Sequence, residues 1–301
     1  MSTTAQVAVR FNAVAERPSP QPIQKLLLHH DHEDVLSHIY ICITFQWRVT
    51  KLTALRQVLG TLSEYPVAKE ICIATDKPSR LAMEIGRHLR ISISEEEPGL
   101  CGCAGKFSAF MHLEHDVEVT WAALQEWAAD SALLEPLGFL RGFVRTEIAP
   151  WSGRAMAADA EAPVNLTGYD KWVRVTDARN ASRFFLQLPT PASGAWVASA
   201  AHRLISWRLT THRRSIQWEG SEALADQGIF IEPPPWGFNS SALVPYDPVR
   251  ALLLDGVQIQ RVSNEVCMQW EMGDEEYRNK QPPKTLAAQK CTIDFDRLIV
   301  T

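Results

Sequence analysis

Apolar positions follow two alternating rhythms over the first half of the chain. "HIYICITF" at 38–45 is an almost unbroken run of β-branched, aromatic and apolar residues, which predicts a strand buried on both faces. "KLTALRQVLGTLSEY" at 51–65 places apolar residues at 52, 55, 58, 59 and 62, the stripe of an amphipathic helix. The same alternation repeats: "EICIATD" (70–76) predicts a strand with a polar tip, "PSRLAMEIGRHL" (78–89) a helix, and "RISIS" (90–94) a third strand. "KFSAFMHLEHD" (106–116) then brings a fourth apolar run to an acidic end, and "TWAALQEWAADSALLE" (120–135) predicts a helix capped by Thr120. Continuously apolar strands alternating with helices describe a parallel sheet covered by helices on both faces, with right-handed crossovers.

Beyond position 140 the rhythm shortens. "FLRGFVRTEI", "KWVRVTD" and "RFFLQL" read as short strands, "WVASAAHRLISWRL" (196–209) as a helix, and the Pro/Gly-rich "EPPPWGFNSSALVPYD" (232–247) as a long loop. Pro18, Pro20 and Pro22 discourage regular structure near the start. The organisation expected is an extension at 1–36, one α/β domain at 37–272, and a polar, proline-broken tail at 273–301 packing on that domain.

Composition narrows the function. Hydrophobic residues make up 46% and charged residues 22%, an ordinary globular balance, and the net charge of −5 argues against a nucleic-acid partner. A phosphate-bearing ligand therefore has to be met by local arginine, lysine or metal. No run approaches the roughly 20 apolar residues of a membrane span, and the first residues lack the apolar core of a signal peptide. Cysteines at 42, 72, 101, 103, 267 and 291 form no zinc-ribbon spacing, and Cys42 and Cys72 read as small buried hydrophobes. The reading is a cytoplasmic protein of undetermined oligomeric state.

In parallel sheets ligands gather beyond the carboxyl ends of the strands. That rule puts Thr44–Arg48, Thr75–Lys77 and Glu114–Asp116 on one rim. Two acids around a histidine at a strand end are either an ordinary charged turn or a place where alternate side chains converge on a dication. The arrangement of "FMHLEHDVEVTWAALQEWAAD" after three strand–helix units resembles the nucleotide-sugar half of GT-A-type glycosyltransferases. The resemblance implies a Rossmann-like nucleotide-binding half, with a central mostly parallel sheet, merged with a mixed acceptor-binding half. It also implies Mn²⁺ or Mg²⁺, loosely held with the donor's diphosphate on Glu114 and Asp116 with His115 between them, and a nucleotide met by Thr44, Arg48 and Asp76. The partners implied are a nucleotide-sugar donor and a hydroxyl-bearing acceptor. "LPTPASGAWVASAAHRLI" (188–205) resembles the small-residue turn and acceptor-side helix of these enzymes, and "SEALADQGIF" (221–230) resembles their acidic helix. Glu222 or Asp226 there, one helical turn apart, would be the catalytic base of an inverting transfer, with Glu219 a third candidate. Where many metal-dependent relatives carry a histidine, this chain has Gln260, Arg261 and Ser263, and a cation such as Arg261 could share the metal's work.

Other residues bear on the cleft. Glu118 lies two positions past Asp116, Arg141, Arg145 and Glu147 alternate along one run, and Trp196 and Trp236 have faces suited to a sugar or base. Two rival readings belong to other classes. His30, His32 and Asp34 match the start of the zinc element of metallo-β-lactamase-like hydrolases, although position 35 is Val where that element closes with histidine. A non-catalytic nucleotide-sugar-binding protein is the other.

Overall fold

The computed structural model describes residues 34–85, 91–94, 107–148, 153, 155–157, 172–176, 182–187, 194–200, 242–250, 252–254 and 256–263. In chain order the elements are β1 (His38–Phe45), α1 (Leu52–Ser63), β2 (Ala68–Thr75), α2 (Pro78–Ile85), β3 (Ile91–Ser94), β4 (Ala109–Glu114), β5 (Val117–Glu118) and α3 (Trp121–Leu134). They continue with β6 (Leu140–Arg141), β7 (Val144–Ile148), β8 (Ala155–Ala157), β9 (Trp172–Thr176), β10 (Ser182–Gln187), β11 (Ala195–Ser199), β12 (Ala242–Asp247), β13 (Leu252–Leu253) and β14 (Gln258–Arg261). The architecture is mixed α/β.

The first sheet has the order β11-β4-β1-β2-β3. Its four strands β4, β1, β2 and β3 are parallel, and β11 runs antiparallel along the β4 edge. One face of β1, the side of Ile39, Ile41, Ile43 and Phe45, joins the main core with Leu52, Leu55, Val58, Leu59 and Leu62 of α1, Leu81 of α2, and Leu124 and Trp127 of α3. The described helices thus pack on a single face, where the strand–helix rhythm predicts cover on both. The reason is topological: β1, β2 and β3 step in one direction across the sheet, so right-handed crossovers deliver α1 and α2 to the same side. The opposite face carries a smaller cluster of Tyr40, Cys42, Cys72, Phe107 and Phe110 with Trp196 against it.

Two corrections concern segments read differently from sequence. Residues 195–199 form strand β11 rather than the start of a helix, because Ala195 to Ser199 complete the ladder with Leu113 to Ala109 of β4. Residues 242–247, read as loop, form β12, which pairs with β10, β13 and, in parallel, β6. Pro245 lies within it, its carbonyl accepting from Leu254 N at 3.1 Å. This second sheet has the order β13-β12-β10-β9, and a third has β5-β14-β7-β8.

Helix α3 joins these layers. Its buried residues include Ala123, Leu124, Trp127 and Ala128 on the main core, while Leu134 enters a second core with Phe139, Val173, Val175, Phe185 and Leu243. Thr120 caps it as the sequence predicts, its Oγ1 accepting from Ala123 N at 3.1 Å. Replacing Thr120 by alanine leaves that first-turn amide without its side-chain acceptor; the expected cost is about 1 kcal/mol in chemical denaturation.

Candidate functional site

Strand register delivers the acid–histidine–acid element to the rim. Thr44 of β1 pairs with Glu114, the last residue of β4, and with Ala74 of β2. The chain then turns at His115 and Asp116 before β5, so the two acids do not lie on one continuous strand. Strand β5 pairs antiparallel with β14, Val117 opposite Arg261. That pairing lays residues 261–263 against Asp116, whose carbonyl accepts from Val262 N at 2.8 Å.

The side chains form a dense charged network. Arg261 Nε donates to Asp116 Oδ2 at 2.7 Å, and Ser263 Oγ donates to the same oxygen at 2.6 Å. Arg261 Nη1 lies 3.6 Å from Glu147 Oε1, across the parallel pair β7–β14. Arg145, two residues before Glu147 on the same side of β7, donates from Nη1 to Glu114 Oε2 at 3.1 Å. His115 is buried edge-on to Phe45, its Nδ1 4.0 Å from Asp116 Oδ1.

Burial by itself raises the Asp116 carboxyl, but Arg261 beside it, with His115 and Ser263, outweighs that and holds it at about 2. Burial likewise lowers the Arg261 guanidinium, and Asp116 above all, then Glu114 and Glu147, raises it beyond its ordinary value.

Gly194 forms the roof of the Glu114–Arg145 pair. It sits at φ +66°, and its carbonyl accepts from Glu114 N at 2.8 Å. A Cβ there would stand 2.7 Å from Glu114 Cδ and 3.1 Å from Arg145 Nη1. The glycine in the small-residue turn "PASGAW" is thus required by both backbone and space. Gly194→Ala is expected to cost roughly 1–3 kcal/mol in thermal denaturation and to push Glu114 off Arg145.

The predicted residues divide between this network and its surroundings. Glu114, His115 and Asp116 are brought together with Arg145, Glu147, Arg261 and Ser263. Arg48 is exposed on the rim, and Asp76, also exposed, accepts from Trp47 N at 2.7 Å, tying the exits of β1 and β2 together. Glu118 turns to α1, taking Thr61 Oγ1 at 2.6 Å and Gln57 Nε2 at 3.1 Å. Arg141 leaves the run of Arg145 and Glu147 and is buried against Asp130 and the carbonyl of Gly256. Trp196 stacks on His112, with ring centroids 5.7 Å apart, as part of the packing. Glu219, Glu222, Asp226, Trp236, His30 and His32 lie outside the described residues; Asp34 begins a short 3₁₀ turn.

No protein-family model matches the chain, and no curated protein matches it.

The two carboxylates expected to hold one dication, Glu114 and Asp116, each carry an arginine. Oδ2 of Asp116 accepts two hydrogen bonds, the residue is wholly buried, and its Oδ1 has no hydrogen-bond partner among the described residues. Glu114 pairs with Arg145, and its charge also acts on Arg261. Among the described residues, no group of three or more His, Cys, Asp or Glu side chains is placed to hold a metal.

Proposed function

We propose that the protein transfers a sugar from a nucleotide-sugar donor to an acceptor hydroxyl. The observation that carries this reading is the charged network of Glu114, Asp116, Arg145, Glu147 and Arg261 at the carboxyl end of β4, next to β1 in a parallel sheet. That is the side of such a sheet where ligands bind. Thr44, Arg48 and Asp76 border the same rim and form the nucleotide side of the site, Arg48 as an exposed cation for phosphate or ribose and Asp76 through the Trp47 loop it holds. The network forms the diphosphate side. Glu222 or Asp226 takes the acceptor's hydroxyl proton as the donor's glycosidic bond breaks; this role rests on the family resemblance alone.

The compartment in this reading is the cytoplasm, which suits the buried thiols of Cys42 and Cys72. Among the described residues no helix is long and apolar enough to cross a membrane.

Calorimetric titration of uridine, guanosine, adenosine and cytidine diphosphates into the full chain tests the proposal. Saturable binding of at least one, weakened by Arg48→Ala or Arg145→Ala, is the expected result. Binding of none of them overturns it, and binding untouched by either substitution moves the site elsewhere.

A further inference from the structure

We infer that the positive charge offered to the diphosphate at this site is the guanidinium of Arg261, assisted by Arg145, and that the site works without a divalent ion. The inference deepens the nucleotide-sugar reading and rests on it.

Its basis is the layering of charge. The carboxylates of Asp116 and Glu147 are fully buried, with side chains 0% exposed, whereas Arg261 and Arg145 each keep 11% of theirs at the surface and Glu114 keeps 14%. The buried layer is therefore anionic, and the outer layer is two guanidiniums with one carboxylate. A phosphate there meets two guanidiniums beside the Glu114 carboxylate, while the Asp116 carboxylate, held by Arg261, does not reach the surface.

The buried carboxylates have a definite role in this arrangement. Asp116 fixes Arg261 through Nε, Glu147 lies by Nη1, and Ser263 and the Val262 amide hold the surrounding turn to Asp116. Arginine suits the task because its planar donors can address carboxylate and phosphate oxygens together. Asp116 is then a positioning residue, acting on the donor through Arg261. A metal seated on Asp116 Oδ2 has to displace Arg261, whose counter-charges are Asp116, Glu114 and Glu147.

Two titrations test this on the full chain after EDTA treatment. With Mn²⁺ alone, the wild-type chain is expected to show no saturable binding, and Arg261→Ala to gain a site by uncovering Asp116 and Glu147. With the nucleoside diphosphate that binds, the wild-type affinity is expected to stay within about twofold on adding Mn²⁺, while Arg261→Ala loses about tenfold or more and Arg261→Lys loses less. Arg261→Lys keeps the charge and controls for folding, checked by its melting curve.

Saturable Mn²⁺ binding by the wild-type chain that Asp116→Ala removes overturns the inference. So does a tenfold gain in diphosphate affinity on adding Mn²⁺, and that result leaves the nucleotide-sugar reading intact. Failure of every diphosphate to bind, with or without Mn²⁺, overturns the nucleotide-sugar reading and Arg261's role together.

Discussion

Replacing Asp130 by alanine is expected to destabilise the fold by about 3–5 kcal/mol, the range for removing one partner of a buried ion pair. Asp130 projects from the middle of α3 and is 3% exposed at its side chain. Its Oδ2 takes Arg141 Nε at 3.4 Å and its Oδ1 takes Arg183 Nη1 at 2.6 Å, so one carboxylate ties α3 to β6 and to β10. Arg141 is wholly buried, over the Phe143 ring and donating to the carbonyls of Gly142 and Gly256 at 2.7 and 2.6 Å. Burial already presses its guanidinium below the ordinary value, and Asp130 opposes that pressure more strongly than any other group. Without Asp130 the cation stays in the interior with two carbonyls and the more weakly acting charge of Glu126. Arg183 offers the control: its side chain is 44% exposed, so Arg183→Ala is expected to cost about 1 kcal/mol or less. Urea denaturation of both variants checks the contrast.

The second large effect is at Asp116. A carboxyl held at about 2 in the folded chain, against 3.8 ordinarily, is ionised in the fold at pH values where the unfolded chain binds a proton. Its contribution is therefore complete above about pH 5 and is lost as pH falls towards 2. The difference corresponds to roughly 2 kcal/mol. In Asp116→Asn this acid-side slope should be shallower than in the wild type by that amount. At neutral pH the variant should also be destabilised, because an amide cannot serve Arg261 as a counter-charge. Stability against pH from denaturant midpoints at pH 2.5–7 measures both effects; curves of equal slope would show that Arg261 does not hold Asp116 in solution.

Much of the first sheet was legible because its signals are local. The apolar run at 38–45 coincides with β1, and positions 52, 55, 58, 59 and 62 are the buried residues of α1. Thr120 could be recognised as a cap from its place before an apolar period. The segment at 195–199 was misread because "AWVAS" has small residues at helical spacing, while its pairing with β4 is set by a partner some 85 residues earlier in sequence.

The site was legible in its acids and opaque in its partners. The strand ending at Glu114 could be placed on the rim from periodicity, but alternation along a strand suggested that Glu114 and Asp116 converge. Across the turn at 115–116, Glu114 pairs with Arg145 and Asp116 with Arg261, which is 145 positions from Asp116 and also feels the charge of Glu114. Ion pairs over such separations depend on which strands become neighbours, here β5 with β14 and β7 with β14, and neither two-residue β5 nor short β14 carries a strong pattern of its own. Gly194 did carry a signal, a lone glycine in a small-residue turn, but its reason, the close approach of Glu114, exists only in the fold.

Release of nucleoside diphosphate from a panel of nucleotide-sugars, in EDTA-treated buffer with water as the only acceptor, tests the central claim most directly. The account predicts slow release from at least one donor, sharply reduced in Arg261→Ala and at most mildly altered by added Mn²⁺. No release from any donor, with or without metal and with or without simple hydroxyl acceptors, would contradict it.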